Sequence, residues 1–122
     1  SELKPNTLAV YHGGFLSPQK RKLFLKIRDA ESKGTQTYFW ADIDLGGFQM
    51  YAHLQEIFPD VQPIRMFGED VVKHCRNGLK RPVKYLKQLE QMLTEGTYPV
   101  FEDAIREILN LGVTIEQESF LT

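Results

Sequence analysis

A single cysteine, Cys75, stands in the 122 residues. It excludes an internal disulfide and fits a reducing cytosol, so a cytoplasmic protein is expected. No stretch approaches the roughly 20 consecutive apolar residues that a membrane-spanning helix needs, so no membrane partner is expected. The opening SELKPNT is polar, and a secretory leader would have to lie outside these residues. His53, His74 and Cys75 do not have the spacing of a zinc site. His53 falls in an apolar helical stretch and reads as a packed helix residue. Cys75 has basic neighbours in Lys73 and Arg76, but no partner arrangement for nucleophilic catalysis accompanies it. There is no internal repeat, low-complexity segment or internal linker. The most telling absence is of acids: none occurs from Val71 to Leu89, where Lys73, Arg76, Lys80, Arg81, Lys84 and Lys87 all carry positive charge.

From Glu90 onward the balance reverses, with acids facing the single Arg106, so the net charge of -1 conceals a basic segment followed by an acidic one. A charge run is most often a solvated helix face. Without compensating acids, the same run is also what a surface tracking nucleic-acid phosphates requires. No aromatic ladder interleaves it, which argues against single-strand binding by base stacking. Apolar residues at 42% and charged residues at 25% are ordinary for one globular domain of this length.

The chain reads as β-α-β-α-β followed by helices. TLAVY, Thr7 to Tyr11, is a first strand closed by His12-Gly13-Gly14. Ser17-Pro18 starts a helix through Leu23, Phe24, Ile27 and Ala30, which stops at Gly34. TQTYFWAD is a second strand, and Phe48, Tyr51, Ala52, Leu54 and Ile57 continue with helical period up to Pro59-Asp60. Gln62 to Phe67 is expected as a third strand. Helices are expected at about Glu69 to Arg76, Val83 to Leu93 and Phe101 to Leu111, with Asn77-Gly78 and Gly112 as stops. In VTIEQESFLT, Val113 and Ile115 favour a brief strand. Strands alternating with helices predict an α/β domain, a parallel sheet with helices on both faces and right-handed crossovers. Ligands gather at the carboxyl ends of such strands.

That location holds Asp42 and Asp44. Two residues apart in a strand, they point to one face about 6.5 Å apart along the backbone, and like charges so placed repel unless a cation joins them. One reading is structural, since Asp is a good N-cap for the helix that follows. The other is a divalent cation site: Mg²⁺ prefers carboxylate oxygens and keeps waters for phosphate groups. Gly13 and Gly14 read either as a tight strand-to-helix turn or as a loop whose amides face a phosphate, with His12 as a structural histidine. Glu116 and Glu118 repeat the same-face spacing if their segment is extended.

LAVYHGGFLSPQKRKLF, YFWADIDLGGFQMYAHLQEIFPDVQPIRMF and IEQESF resemble the C-terminal domain of the JetD family, the nuclease subunits of bacterial Wadjet anti-plasmid defence systems. The D-I-D-x-x-G-F piece, Asp42 to Phe48, is the most specific part. The resemblance implies a Toprim-like fold (Rossmann-like, three-layered, related to the topoisomerase VI A subunit) over residues 7–122, with residues 1–6 a tag or linker remnant. It implies Mg²⁺- or Mn²⁺-dependent cleavage of DNA, with Asp42 and Asp44 as the catalytic, metal-binding pair and Glu116 and Glu118 as further metal-site candidates. The partners it implies are DNA, other subunits of an SMC-like defence complex and a second copy of the chain. Toprim domains carry a catalytic glutamate after a strand upstream of the one TLAVY resembles. Only SELKPN precedes that strand here, and Glu2 is poorly placed for the role. The expectation is therefore a fragment that lacks its first strand and is inactive alone. Ala41 stands where the family often has glycine, and RMFGED replaces a short acidic turn.

Three other functions remain open. Haloacid-dehalogenase-type phosphatases also place D-x-D at a strand end, but after their first strand and followed by Gly-Thr, whereas Leu-Gly-Gly follows here. A DNA-binding module without chemistry would rest on the basic segment alone. A protein-interaction domain would keep the fold after losing the reaction.

Overall fold

The structure is a computed structural model and describes residues 8–11, as backbone, and 36–121. Strand β1, Leu8–Tyr11, pairs in parallel with β2, Thr37–Trp40, which pairs in parallel with β3, Gln62–Pro63. The order β1-β2-β3 makes β2 the middle strand. The loop expected at Gly13 and Gly14 and the helix expected after Ser17 lie outside the described residues.

Strand β2 and its continuation keep a two-residue period for eight positions. Thr37, Phe39, Ala41 and Ile43 are buried, while Tyr38, Trp40, Asp42 and Asp44 are half-buried on the opposite side. This alternation fixes which way the aspartates point, because successive side chains in extended chain face opposite ways. Helix α1, Leu45–Ile57, then covers the core side through Phe48, Met50, Tyr51, Leu54 and Ile57. His53 is exposed on α1 and is not the packed residue expected. The stripe at Met50, Tyr51, Leu54 and Ile57 already fills the buried face, and His53 falls outside it.

The third strand is shorter than expected. Pairing covers Gln62 and Pro63, and Ile64 adds one bond by donating its N–H to the Phe39 carbonyl at 2.8 Å. Arg65 then adopts φ 54°, a left-handed conformation that ends extended pairing. Its guanidinium lies over the Trp40 ring at 5.4 Å.

Helix α2, Gly68–His74, runs into a 3₁₀ turn at Cys75–Asn77. Helix α3, Val83–Glu95, extends two residues past the expected end at Leu93, to a stop at left-handed Gly96, φ 69°. A 3₁₀ turn at Pro99–Phe101 leads into α4, Glu102–Leu111, stopped by Gly112 at φ 72°. Helix α4 buries Ala104, Ile105 and Ile108, and Phe101 stacks on Phe48 at 4.6 Å and meets Tyr51 edge-on at 5.1 Å.

One element escaped the sequence reading. Within the basic segment, β4, Leu79–Lys80, pairs antiparallel with β5, Val113–Thr114. At Gly78 a Cβ would come within 2.7 Å of the Val113 side chain, so a larger residue there would require Val113 to shift from its place in β5. Beyond β5, Ile115 forms an antiparallel bridge with Ile43, and each donates its N–H to the other's carbonyl, at 3.2 and 2.7 Å. The brief strand expected at Val113 and Ile115 is present. The extended run through Glu118 is not, because Gln117–Leu121 turns into a 3₁₀ helix. No helix among the described residues is long and apolar enough to cross a membrane.

Burial sets the expected cost of truncation. Ile108 has no exposed surface, and Ile108→Ala should lower unfolding free energy in urea by about 2–5 kcal/mol. Val83 is 66% exposed, and Val83→Ala should stay within about 0.5 kcal/mol of the parent.

Candidate functional site

The Ile43–Ile115 bridge builds the site. In antiparallel pairing the residue before one partner faces the residue after the other. The bridge thus sets Glu116 beside Asp42 and Thr114 beside Asp44. Strand β5 carries β4 with it, and β4 delivers Arg81, whose N–H donates to the Gly112 carbonyl at 3.0 Å.

Each aspartate has one oxygen committed to a backbone amide. Asp44 is the N-cap of α1, its Oδ1 accepting from Gly47 N at 2.7 Å. Asp42 Oδ1 accepts from Gln117 N at 2.7 Å, at the start of the terminal 3₁₀ turn. The Gln117 side chain reaches back to the Trp40 carbonyl at 3.4 Å. Both amides belong to helix-start positions that lack an intrahelical acceptor; Asp44 caps the helix that follows it, as the structural reading expected, whereas Asp42 caps the distant terminal 3₁₀ turn instead.

The other Asp44 oxygen, Oδ2, lies 3.8 Å from Arg81 Nη2, with 18% and 25% of the two side chains exposed. Arg81 is fixed from several directions. Its Nε donates to Thr114 Oγ1 at 2.8 Å, and its guanidinium lies 4.7 Å over the Tyr85 ring. Tyr85 is tied to the same corner, since its hydroxyl oxygen accepts from Leu45 N at 2.9 Å. Burial, the foremost cause, pushes the Tyr85 hydroxyl pKa upward, and the Asp44 charge adds to it.

The Asp44 carboxyl is also held above its ordinary value. Burial is the largest cause, and repulsion from Asp42 and Glu116 adds to it. The Gly47 amide and Arg81 oppose the shift without cancelling it. Among the described residues two acids and one base therefore act on Asp44, so the acids outnumber the base there.

Gly47 is indispensable to this geometry. A Cβ there would overlap the Asp42 carbonyl oxygen, so the first turn of α1 can close over the strand end only with glycine. At Gly46 a Cβ would meet nothing nearer than the Asp44 side chain at 3.4 Å, an ordinary contact.

Asp42, Asp44, Arg81 and Glu116 are brought together. Glu118 sits one turn further on, exposed in the 3₁₀ helix. Lys73, Arg76, Lys80, Lys84 and Lys87 are exposed on α2, its following turn, β4 and α3, and none of them has an ion pair among the described residues. Gly13 and Gly14 lie outside those residues. The sequence reading grouped Arg81 with the other cations and missed Tyr85 and Thr114. The pairing of β4 with β5 brings Thr114 to Arg81, two-residue strands leaving no periodic signal, and the Leu45 amide places Tyr85, four residues beyond Arg81, at the same corner.

The donor set suits a hydrated hard cation: two carboxylates, each with one oxygen outside its backbone cap, in an acid-rich corner. Mg²⁺ is commonly held by one or two carboxylates plus waters and substrate phosphates. Among the described residues no three His, Cys, Asp or Glu side chains form a cluster able to hold a metal. What the described residues offer is therefore at most an open two-carboxylate site and not a closed protein cage.

Residues 2–121 match the family model described as Wadjet protein JetD, C-terminal. The chain belongs to the JetD C-terminal family. It is 26% identical over 115 residues to the Wadjet protein JetD of Bacillus cereus (strain Q1). That alignment covers 93% of this chain and 28% of the relative, so the chain spans little more than a quarter of the relative's length. Asp42 through Phe48, on which the family resemblance was most specific, forms the strand end, the cap and the first turn of α1.

Two outcomes test the local chemistry. Gly47→Ala should cost about 1–3 kcal/mol in urea unfolding, whereas Gly46→Ala should not. For Asp44, a raised carboxyl pKa means a stabilising contribution present below the ordinary value of 3.8 and lost as pH rises through the raised value. At neutral pH Asp44→Asn, which keeps a capping oxygen, should therefore melt no lower than the parent. Asp44→Ala loses the cap and should melt lower, by the equivalent of about 1 kcal/mol.

Proposed function

We propose that this domain supplies the carboxylate pair for metal-dependent cleavage of DNA phosphodiesters within a Wadjet-type plasmid-defence nuclease. The observation that carries the proposal is the acid-rich corner at the end of the middle parallel strand. There Asp42 and Glu116 lie close enough to Asp44 to raise its carboxyl pKa, and Arg81 is the cation paired with it among the described residues. Carboxyl ends of parallel strands are where ligands bind in open α/β sheets. Family membership and the D-x-D-x-x-G-F stretch support the same reading. A Toprim-like fold is part of the proposal, resting on the parallel α/β sheet and that stretch.

Asp42 and Asp44 would hold Mg²⁺ or Mn²⁺, with Glu116 the nearer and Glu118 the more distant of the further acids. A cation bound there would polarise a phosphodiester and steady the departing oxygen. Lys73, Arg76, Lys80, Lys84 and Lys87 would grip the DNA backbone, giving affinity without reading sequence. Other subunits of an SMC-like complex, and a second copy of the chain, belong to the proposal as partners, as does a cytoplasmic setting. A second reading, a DNA-binding or protein-interaction module without chemistry, draws on the two backbone caps, since both aspartates have structural work in the absence of any reaction.

Thermal melts and DNA titrations separate these readings. Millimolar Mg²⁺ or Mn²⁺ should raise the melting temperature of the chain, by mass action on the folded state, and Asp42→Ala or Asp44→Ala should abolish the rise. Slow or absent plasmid nicking by the chain alone is expected. Replacing Lys80, Lys84 and Lys87 with glutamine should weaken duplex DNA binding at every sequence and reduce the log-log salt slope by about one for each phosphate no longer neutralised. Salt-sensitive DNA binding with a melt indifferent to Mg²⁺ and Mn²⁺ would establish the module without chemistry.

A further inference from the structure

Arg81 is built into the carboxylate corner with more care than a surface counter-ion needs. An exposed arginine paired with an aspartate is normally held by that pair alone and adds little. Here the Asp44 contact, at 3.8 Å, is the loosest of the restraints. Neither the Nε bond to Thr114 at 2.8 Å nor the Tyr85 ring at 4.7 Å involves the Asp44 side chain, and the main-chain bond from Arg81 to Gly112 at 3.0 Å fixes the backbone that carries the guanidinium. Thr114 is buried, 1% exposed, and Tyr85 is anchored through Leu45 N, so the platform under the guanidinium is rigid on two sides. The guanidinium is therefore positioned by the fold and only incidentally by the acid it faces. A quarter of the side chain stays open to solvent at the site.

Resting on the metal-site reading above, we infer that Arg81 is an internal counter-ion that competes with a divalent cation for Asp44 and then serves as a contact for the substrate phosphate. Without a cation, its positive charge offsets part of the repulsion among Asp42, Asp44 and Glu116. With Asp44 engaged by a cation, the guanidinium remains on its Thr114–Tyr85 platform beside the same corner, where its fork of N–H donors suits a phosphate oxygen. Metal and phosphate binding then share one residue with opposite effects. Arg81 weakens the first in the absence of substrate and strengthens the second.

The opposed signs make the test. Mn²⁺ affinity is measured by calorimetry on the 122-residue chain, and duplex DNA binding by fluorescence anisotropy across a salt series. Arg81→Gln should tighten Mn²⁺ by about fivefold, the scale of a partly exposed ion pair. The same variant should weaken DNA binding and lower the salt slope by about one. A residue serving only to hold β4 against β5 would not tighten the metal. Thr114→Val retains the arginine but removes the acceptor for Nε, and should shift both affinities in the same directions by smaller factors. It decides the matter should Arg81→Gln fail to fold. Mn²⁺ binding equally tight in the parent and in the folded variants overturns the role of Arg81 and leaves the metal site standing. Mn²⁺ binding to none of them overturns the metal-site reading and this inference together.

Discussion

Two backbone hydrogen bonds between Ile43 and Ile115 hold the site together. They join the residue between the two aspartates to the residue before Glu116, across more than half the chain. Both isoleucines have no exposed surface, so the bridge is sealed by the core it helps to close. Its consequences radiate outward. Gln117 is placed to donate to Asp42, β5 is placed to receive β4, and β4 turns Arg81 toward Asp44. An acid pair at a strand end becomes an organised corner because a late segment of the chain is tied to it there.

Like charges two residues apart call for compensation, and the chain supplies it piecemeal. One oxygen of each aspartate is absorbed by an amide at a helix start, and the remaining Asp44 oxygen faces a guanidinium. Burial still lifts the Asp44 carboxyl above its ordinary range, so the compensation is incomplete. A corner in that condition folds with part of its like-charge repulsion still in place. Capping and metal binding are compatible uses of one carboxylate, because a cap occupies a single oxygen.

How much of this the sequence discloses depends on the range of the interaction. Strand β2, helix α1 and the cap at Asp44 are local, written in the alternation from Thr37 to Ile43 and in the glycines that follow. The stop at Gly112 and the strand at Val113 are equally local. Strand β3 was overestimated because Ile64 and Met66 look β-prone, whereas Arg65 between them takes a left-handed conformation, with its side chain over the Trp40 ring, that no local pattern announces. His53 was misplaced because an apolar stretch is not the same as an apolar stripe. Arg81, Tyr85 and Thr114 could not be grouped at all, since 33 residues separate Arg81 from Thr114 and the strands that unite them span two residues each. The basic segment was visible as composition, but its division into one fixed cation and five solvent-facing ones emerges only in three dimensions.

The overlap that any side chain at position 47 would make with the Asp42 carbonyl separates two kinds of information in one short motif. The glycine answers to sterics: it is needed for the strand end and the helix start to lie against each other, whatever ion or substrate is present. The aspartates answer partly to capping, which asparagine or serine could also supply, and partly to charge, which they could not. A relative that keeps the glycine but carries asparagine at both acidic positions would retain the turn and lose the electrostatics. Across diverging relatives, the glycine should therefore outlast the acids and trace the backbone where the charges have gone.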